Sequence, residues 1–132
     1  MENTYAAHLL LGIIGTPLAH SLSPMLHNEM LRLKGIAGTY LPWEMDSGAL
    51  EGFAQAVRVL PIHGCSVTIP HKVAIMKFCD RITERAKAVG AVNTLYWDGK
   101  VLVGENTDVA GFMAPLAGME LADRSILVLG AG

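Results

Sequence analysis

Two hydroxyls and an imidazole held together after a buried strand can bind a small polar anion. The stretch Gly15-Thr16-Pro17-Leu18-Ala19-His20-Ser21-Leu22-Ser23-Pro24 has that make-up. Before it, Leu9 to Ile14 is an apolar run that reads as a buried strand; after it, Met25 to Lys34 is amphipathic and reads as a helix. The stretch is therefore a strand-to-helix turn, bent by Gly15 and Pro17. Ser23 is placed to cap the helix, and Pro24 suits its first position, where a missing N–H costs nothing. Ser21 is left without a structural duty. In an open α/β sheet, ligands sit in the loops that leave the carboxyl ends of strands, so Ser21 and His20 are either anion contacts or plain loop residues.

The same design recurs downstream. Gly64 to Ile69 is a short strand without the alternation of a half-exposed one, and Pro70-His71-Lys72 should open a helix reaching about Cys79. Thr68, His71 and Lys72 would then project at the carboxyl edge of the sheet. Taken alone, Lys72 also reads as a solvated surface lysine. Asn93, in the apolar run Val92-Asn93-Thr94-Leu95, carries an amide that needs partners, either backbone groups or a ligand. In Asn106-Thr107-Asp108, either Thr107 or Asp108 can cap a helix with Val109, Phe112, Met113 and Leu116 along one face; for Asp108 by itself capping is the simpler duty.

The elements that must position these groups follow from periodicity and punctuation. Leu26, Met30 and Leu33 mark one face of the first helix, which Gly35 stops. Thr39 to Glu44 is a second strand, and Pro42 puts it at an edge or a bulge. Asp46 or Ser47 caps a helix whose Leu50, Phe53, Ala54 and Val57 form a core face, and Pro61-Ile62-His63 is a connection. Thr83 to Val89 is a short helix ended by Gly90. Ala91 to Trp97 and Lys100 to Gly104 form a hairpin around an Asp98-Gly99 turn of type I′. Asp123 to Gly132 closes the sequence as a charged lead-in, an apolar strand and Gly130-Ala131-Gly132, the way a dinucleotide-binding unit begins. One strand does not make a Rossmann domain, because the helix that would face the pyrophosphate is missing.

Composition narrows the class. The 132 residues suit one domain, able to bury roughly 68% of its unfolded surface. Hydrophobic residues make up 52% and charged ones 17%, but no run approaches the roughly 18 apolar residues of a membrane span. The start lacks the pattern of a secretory signal, which leaves a cytoplasmic address as the expectation. Cys65 and Cys79 lack metal-ligand spacing and read as reduced, structural thiols; no metal is expected. A net charge of −2 with scattered Lys and Arg gives no footprint for nucleic acid.

Taken together, His20-Ser21-Leu22-Ser23-Pro24 with His27-Asn28, Val67-Thr68-Ile69-Pro70-His71-Lys72, Gly90-Ala91-Val92-Asn93-Thr94, and Asn106-Thr107-Asp108 with Gly111-Phe112 resemble the substrate-binding domain of the shikimate dehydrogenases. The four motifs stand in the family's order over about residues 9 to 113. The resemblance implies an α/β fold, a three-layer open, mixed and mostly parallel sheet flanked by helices. Residues 1–113 would be the shikimate-binding catalytic domain, and 114–132 the connection and first strand of an NADP-binding domain. It implies reversible reduction of 3-dehydroshikimate to shikimate with NADPH, in aromatic amino-acid biosynthesis. In that family Ser21 and Ser23 would bind the substrate carboxylate; Thr68, Asn93 and Asp108 would contact the ligand, and Lys72 and Asp108 would be the catalytic pair. Gly130 and Gly132 would belong to the cofactor-binding turn.

The residue types suit that chemistry. Hydride delivery to a ketone builds charge on its oxygen, which an ammonium can stabilise and protonate, and a neighbouring carboxylate holds and tunes the amine. Ser66 departs from the family, which usually has asparagine there, and Gln55 lies on a core-type helix and is not assigned to substrate. The 132 residues alone would bind shikimate weakly and turn over nothing. Three readings stay open besides: a regulatory module that binds shikimate or quinate without catalysis, a dehydrogenase that prefers quinate, and one that uses NAD. Ile126 to Leu129 could pair with the sheet edge of a second copy, as a homodimer, or fold back.

Overall fold

The computed structural model describes residues 8–130. Six strands form one mixed sheet in the order β2-β1-β3-β5-β6-β4. They are β1 (Leu9–Gly15), β2 (Gly38–Glu44), β3 (Ile62–Val67), β4 (Arg81–Ile82), β5 (Thr94–Asp98) and β6 (Val101–Glu105). β1 runs parallel to β2 and β3, and β4 parallel to β6, whereas β5 is antiparallel to β3 and β6. This is the mixed, mostly parallel sheet expected. β2 is an edge strand, which is where Pro42, having no N–H to donate, is tolerated.

Two consecutive residues of β1 point to opposite faces, so Ile13 and Ile14 start two cores. Ile14 joins the larger, with Leu50, Phe53 and Val57 from α2 (Leu50–Val59) and Ile62, Cys65, Val67, Val92, Leu95 and Leu102 around them. The α2 core face is thus the one the periodicity marks; each such side chain contributes about 1.5–3 kcal/mol on burial. Cys65 and Cys79 are free thiols; burial pushes Cys65 up and Cys79 up to about 11, which keeps both protonated. Ile13 joins Leu18 and Tyr40 in the smaller core. Helix α1 (Ser23–Leu33) sits beside β2, where the Asn28 amide takes both backbone groups of Tyr40, each at 2.9 Å.

Several sequence expectations fail for tertiary reasons. Leu26, Met30 and Leu33 do share a face of α1, but they are 56%, 57% and 68% exposed, because that face turns away from the sheet. Phe112 and Met113 of α4 (Asp108–Met113) are likewise uncovered. No helix starts at Pro70; a bend with a cis Ile69–Pro70 bond comes first, and only a 3-10 helix follows, at Ala74–Phe78. Ile62 and His63 belong to β3 rather than to a connection. The α2 region opens with a 3-10 turn that neither Asp46 nor Ser47 caps through its side chain. The hairpin pairs Asp98 with Val101, so its turn is Gly99-Lys100. Only Gly99 takes a positive φ, 61°, which is the type II′ requirement rather than type I′. Helix α3 (Glu84–Val89) stops at Gly90 as expected, and Thr83 is its cap rather than its first residue, accepting from the Ala86 N–H.

Ile126 to Leu129 is exposed and is not a strand, since among the described residues nothing pairs with it. No helix among the described residues is long and apolar enough to cross a membrane.

Candidate active site

The topology itself assembles the site. β1, β3 and β6 end at the same edge of the sheet, and β5, being antiparallel to its neighbours, begins there. The turn after β1 carries Ser21, the turn after β3 carries Thr68 and Lys72, Asn93 precedes β5 and Asp108 follows β6. Backbone bonds lock these turns together. Thr68 N–H donates to Ile14 (2.9 Å), Thr16 N–H to Ile69 (3.0 Å), Val92 N–H to Lys72 (2.8 Å) and Asn93 N–H to Glu105 (2.9 Å). Gly15 is needed where the first two turns touch, because a Cβ there would lie 2.4 Å from Thr68 Cγ2 and 2.9 Å from the Ile69 carbonyl.

At the centre, the Lys72 ammonium donates to Asp108 Oδ2 at 2.6 Å and the Asn93 amide donates to Asp108 Oδ1 at 2.7 Å. The bond from Lys72, opposed in part by burial and aided by Asn93, holds the Asp108 carboxyl below the usual carboxylate range. Both oxygens of an ionised carboxylate are thereby fixed beside one amine.

Asn93 finds its partners within the protein. Its Nδ2 also donates to Thr107 Oγ1 (2.9 Å), and its Oδ1 accepts from Thr107 N–H (2.8 Å), Thr107 Oγ1 (3.1 Å) and Thr94 Oγ1 (2.8 Å). Neither Thr107 nor Asp108 caps α4 with its side chain. Asn106 does the work, its buried amide accepting from Val109 N–H (3.2 Å) and donating to the Ala91 carbonyl (3.0 Å). Relieved of capping, Asp108 is free to face Lys72. The sequence signal for Asn106 was available: Asn three residues before Val109 is an N-cap spacing.

The serines exchange roles. Ser23 is already the first residue of α1 and makes no cap, whereas Ser21 Oγ accepts from Ser23 N–H at 3.4 Å. Both are partly buried, on a turn joined to the Lys72 turn by the backbone bonds above. The turn is also gripped by Glu44, whose carboxylate accepts from Leu18 N–H (3.1 Å) and Thr16 Oγ1 (3.3 Å). His20 is exposed beside Ser21. His71 does not project at the edge; it is fully buried. Ser66 accepts a hydrogen bond from Tyr40 Oη at 2.8 Å, leaving its own proton to donate. It lines, with Leu11, His27, Tyr40, Thr94 and Tyr96, an open groove of about 250 Å³ on the α1 side of the sheet. Neither Lys72 nor Asp108 lines that groove. Gly130 is exposed, with φ 102°, and Gly132 lies outside the described residues.

The family model described as the shikimate dehydrogenase substrate binding domain matches residues 13–95. The chain belongs to that family. A shikimate dehydrogenase (NADP(+)) of Pelobacter propionicus is 55% identical to this chain over 125 residues, 93% of this chain and 45% of the relative. The chain thus spans under half the length of the curated relatives it matches. A shikimate 5-dehydrogenase of Listeria monocytogenes, solved with shikimate and NAD, superimposes with a TM-score of 0.80 at 38% identity, over 88% of this chain and 40% of that one. A 5-ketofructose reductase of Gluconobacter, solved without ligand, also gives a TM-score of 0.80, at 28% identity over 85% of this chain and 40% of its own.

Proposed function

We propose that the chain is the substrate-binding half of an NADP-dependent shikimate dehydrogenase, which interconverts 3-dehydroshikimate and shikimate. One observation carries the reading: two turns 36 residues apart in sequence bring an ammonium and an ionised carboxylate within 2.6 Å at the ligand-binding edge of the sheet. Residues 1–113 form the substrate domain and 114–132 lead toward a cofactor domain. Among the described residues no strand leads into Gly130, so they form no cradle for NADP; when bound, the cofactor would exchange hydride with the ring carbon.

The work of this chain is to bind, orient and handle the proton. Ser21 and Ser23 donate to the substrate carboxylate from one turn, and Thr68 meets the ring from the next. In the direction of reduction, Lys72 gives a proton to the oxygen of the former carbonyl as charge builds there. Asp108 stays ionised, holds the amine against the reacting oxygen and accepts from a ring hydroxyl. Asn93 keeps Asp108 in place; a ring hydroxyl that reaches it replaces Thr107 as its partner. Neutral donors toward the distant groups orient the ring without competing for the amine's proton. The protein works in the cytoplasm on a small acid, without nucleic acid.

Shikimate titration of the 132-residue chain followed by NMR tests the reading: Ser21, Thr68, Asn93 and Asp108 should shift together. Their staying put while the chain is folded would refute it. In the parent-length protein, initial rates with shikimate and NADP+ should exceed those with quinate or with NAD+. The relative solved with shikimate and NAD makes the cofactor comparison the informative one.

A further inference from the structure

We propose that His71 is a positioning residue: its buried imidazole latches the turn that carries Lys72 to the turn that carries Ser21, so that amine and hydroxyls face one ligand at a fixed span. The proposal rests on the reading of Lys72 and Asp108 given above.

The ring is 0% exposed and uses both nitrogens. Nε2 lies 2.8 Å from the Met45 carbonyl, which can only accept, so Nε2 carries the proton. Nδ1 then accepts from Ser47 Oγ at 3.4 Å. Met45 in turn donates its N–H to the Gly15 carbonyl (3.2 Å), and the next residue, Thr16, donates to Ile69 (3.0 Å). The His71 N–H returns to the Thr68 carbonyl at 2.9 Å. These bonds close a circuit, from His71 through Met45 and Gly15-Thr16 to Ile69 and back. The imidazole is its one side-chain link.

Lys72 follows directly, and on its far side its carbonyl is held by the Val92 N–H. The lysine backbone is thus anchored before and after, and His71 supplies the anchor before. The Ser21 turn has a second grip through Glu44, so cutting the latch should fall on Lys72 more than on substrate binding.

His71→Phe keeps the ring volume but leaves the Met45 carbonyl unpartnered, while His71→Gln can still reach that carbonyl with an N–H. In the 132-residue chain, a carbon NMR titration should show the Asp108 carboxyl of His71→Phe rising toward its ordinary range as Lys72 drifts away. In His71→Gln it should stay low. In the parent-length protein, kcat of His71→Phe should fall by about tenfold to a hundredfold with KM little changed, and His71→Gln should recover it. A folded His71→Phe with both the Asp108 titration and kcat unchanged overturns the latch. So does a loss shared equally by His71→Gln. If His71→Phe does not fold, His71→Asn takes its place, since its shorter amide reaches Ser47 but not Met45; behaviour identical to His71→Gln then overturns the proposal. A parent-length protein inactive on shikimate would sink the proposed function instead, and the Asp108 titration alone would decide the latch.

Discussion

Replacing Lys72 with methionine separates chemistry from stability, because the structure predicts opposite sizes for the two effects. The side chains of Lys72 and Asp108 are 32% and 57% exposed, so water screens their ion pair. Losing such a pair costs less than about 1 kcal/mol of folding stability, and methionine keeps most of the apolar stem. Removing the proton donor should lower kcat by about 10²–10⁴, equivalent to about 2.7–5.4 kcal/mol of transition-state stabilisation. The assay is the initial rate of NADPH formation from shikimate by the parent-length protein, beside a thermal melt. KM should change little if, as proposed, the serines and Thr68 hold the ring. A second readout checks the geometry: the Asp108 carboxyl, whose depression is owed first to the Lys72 bond, should titrate closer to its ordinary value in the variant. A kcat within about threefold of the parent, in a protein whose Asp108 titration has moved, would remove Lys72 from the mechanism while leaving the contact intact.

Ser21→Ala should raise KM for shikimate and leave kcat nearly unchanged, as expected for a contact made equally in ground and transition states; a selective fall in kcat would bring the serine into the chemistry. Asn93→Ala removes a buried amide and strips its Thr107 and Asp108 contacts at once. It should therefore cost about 1–3 kcal/mol in denaturant unfolding and lower kcat as well, and a variant as stable as the parent would contradict the network. Asp80 is held below the usual carboxylate range first by the Arg58 guanidinium and then by the Leu102 N–H. A carboxyl lowered on folding contributes stability that is present above its unfolded pKa and is lost as pH falls through the folded one. Asp80→Asn should therefore flatten the acid limb of stability against pH, below about pH 4; an unchanged limb would mean the pair does not persist in solution.

The parts of the site legible in sequence are those fixed by strand ends. Ser21, Thr68 and Lys72 were readable because they lie in turns that leave apolar strands, and the sheet brings those strand ends to one edge; Asn93 and Asp108 joined them only through the resemblance to the shikimate dehydrogenases. What could not be read is what each group does once there. Asp108 and Thr107 look like caps in sequence, yet Asn106 takes the α4 cap and frees the carboxylate. His71 looks like an edge residue, yet its imidazole is buried against Met45, a partner 26 residues away. The exposed face of α1 shows the same limit from the apolar side: periodicity tells which residues share a face, and only a neighbouring element tells whether that face is covered. Local spacing therefore locates chemistry-bearing residues, whereas the division of labour among them is set by contacts between turns. For that reason the variants that decide the mechanism are those that cut between turns, at Lys72–Asp108 and His71–Met45, rather than those that alter one turn by itself.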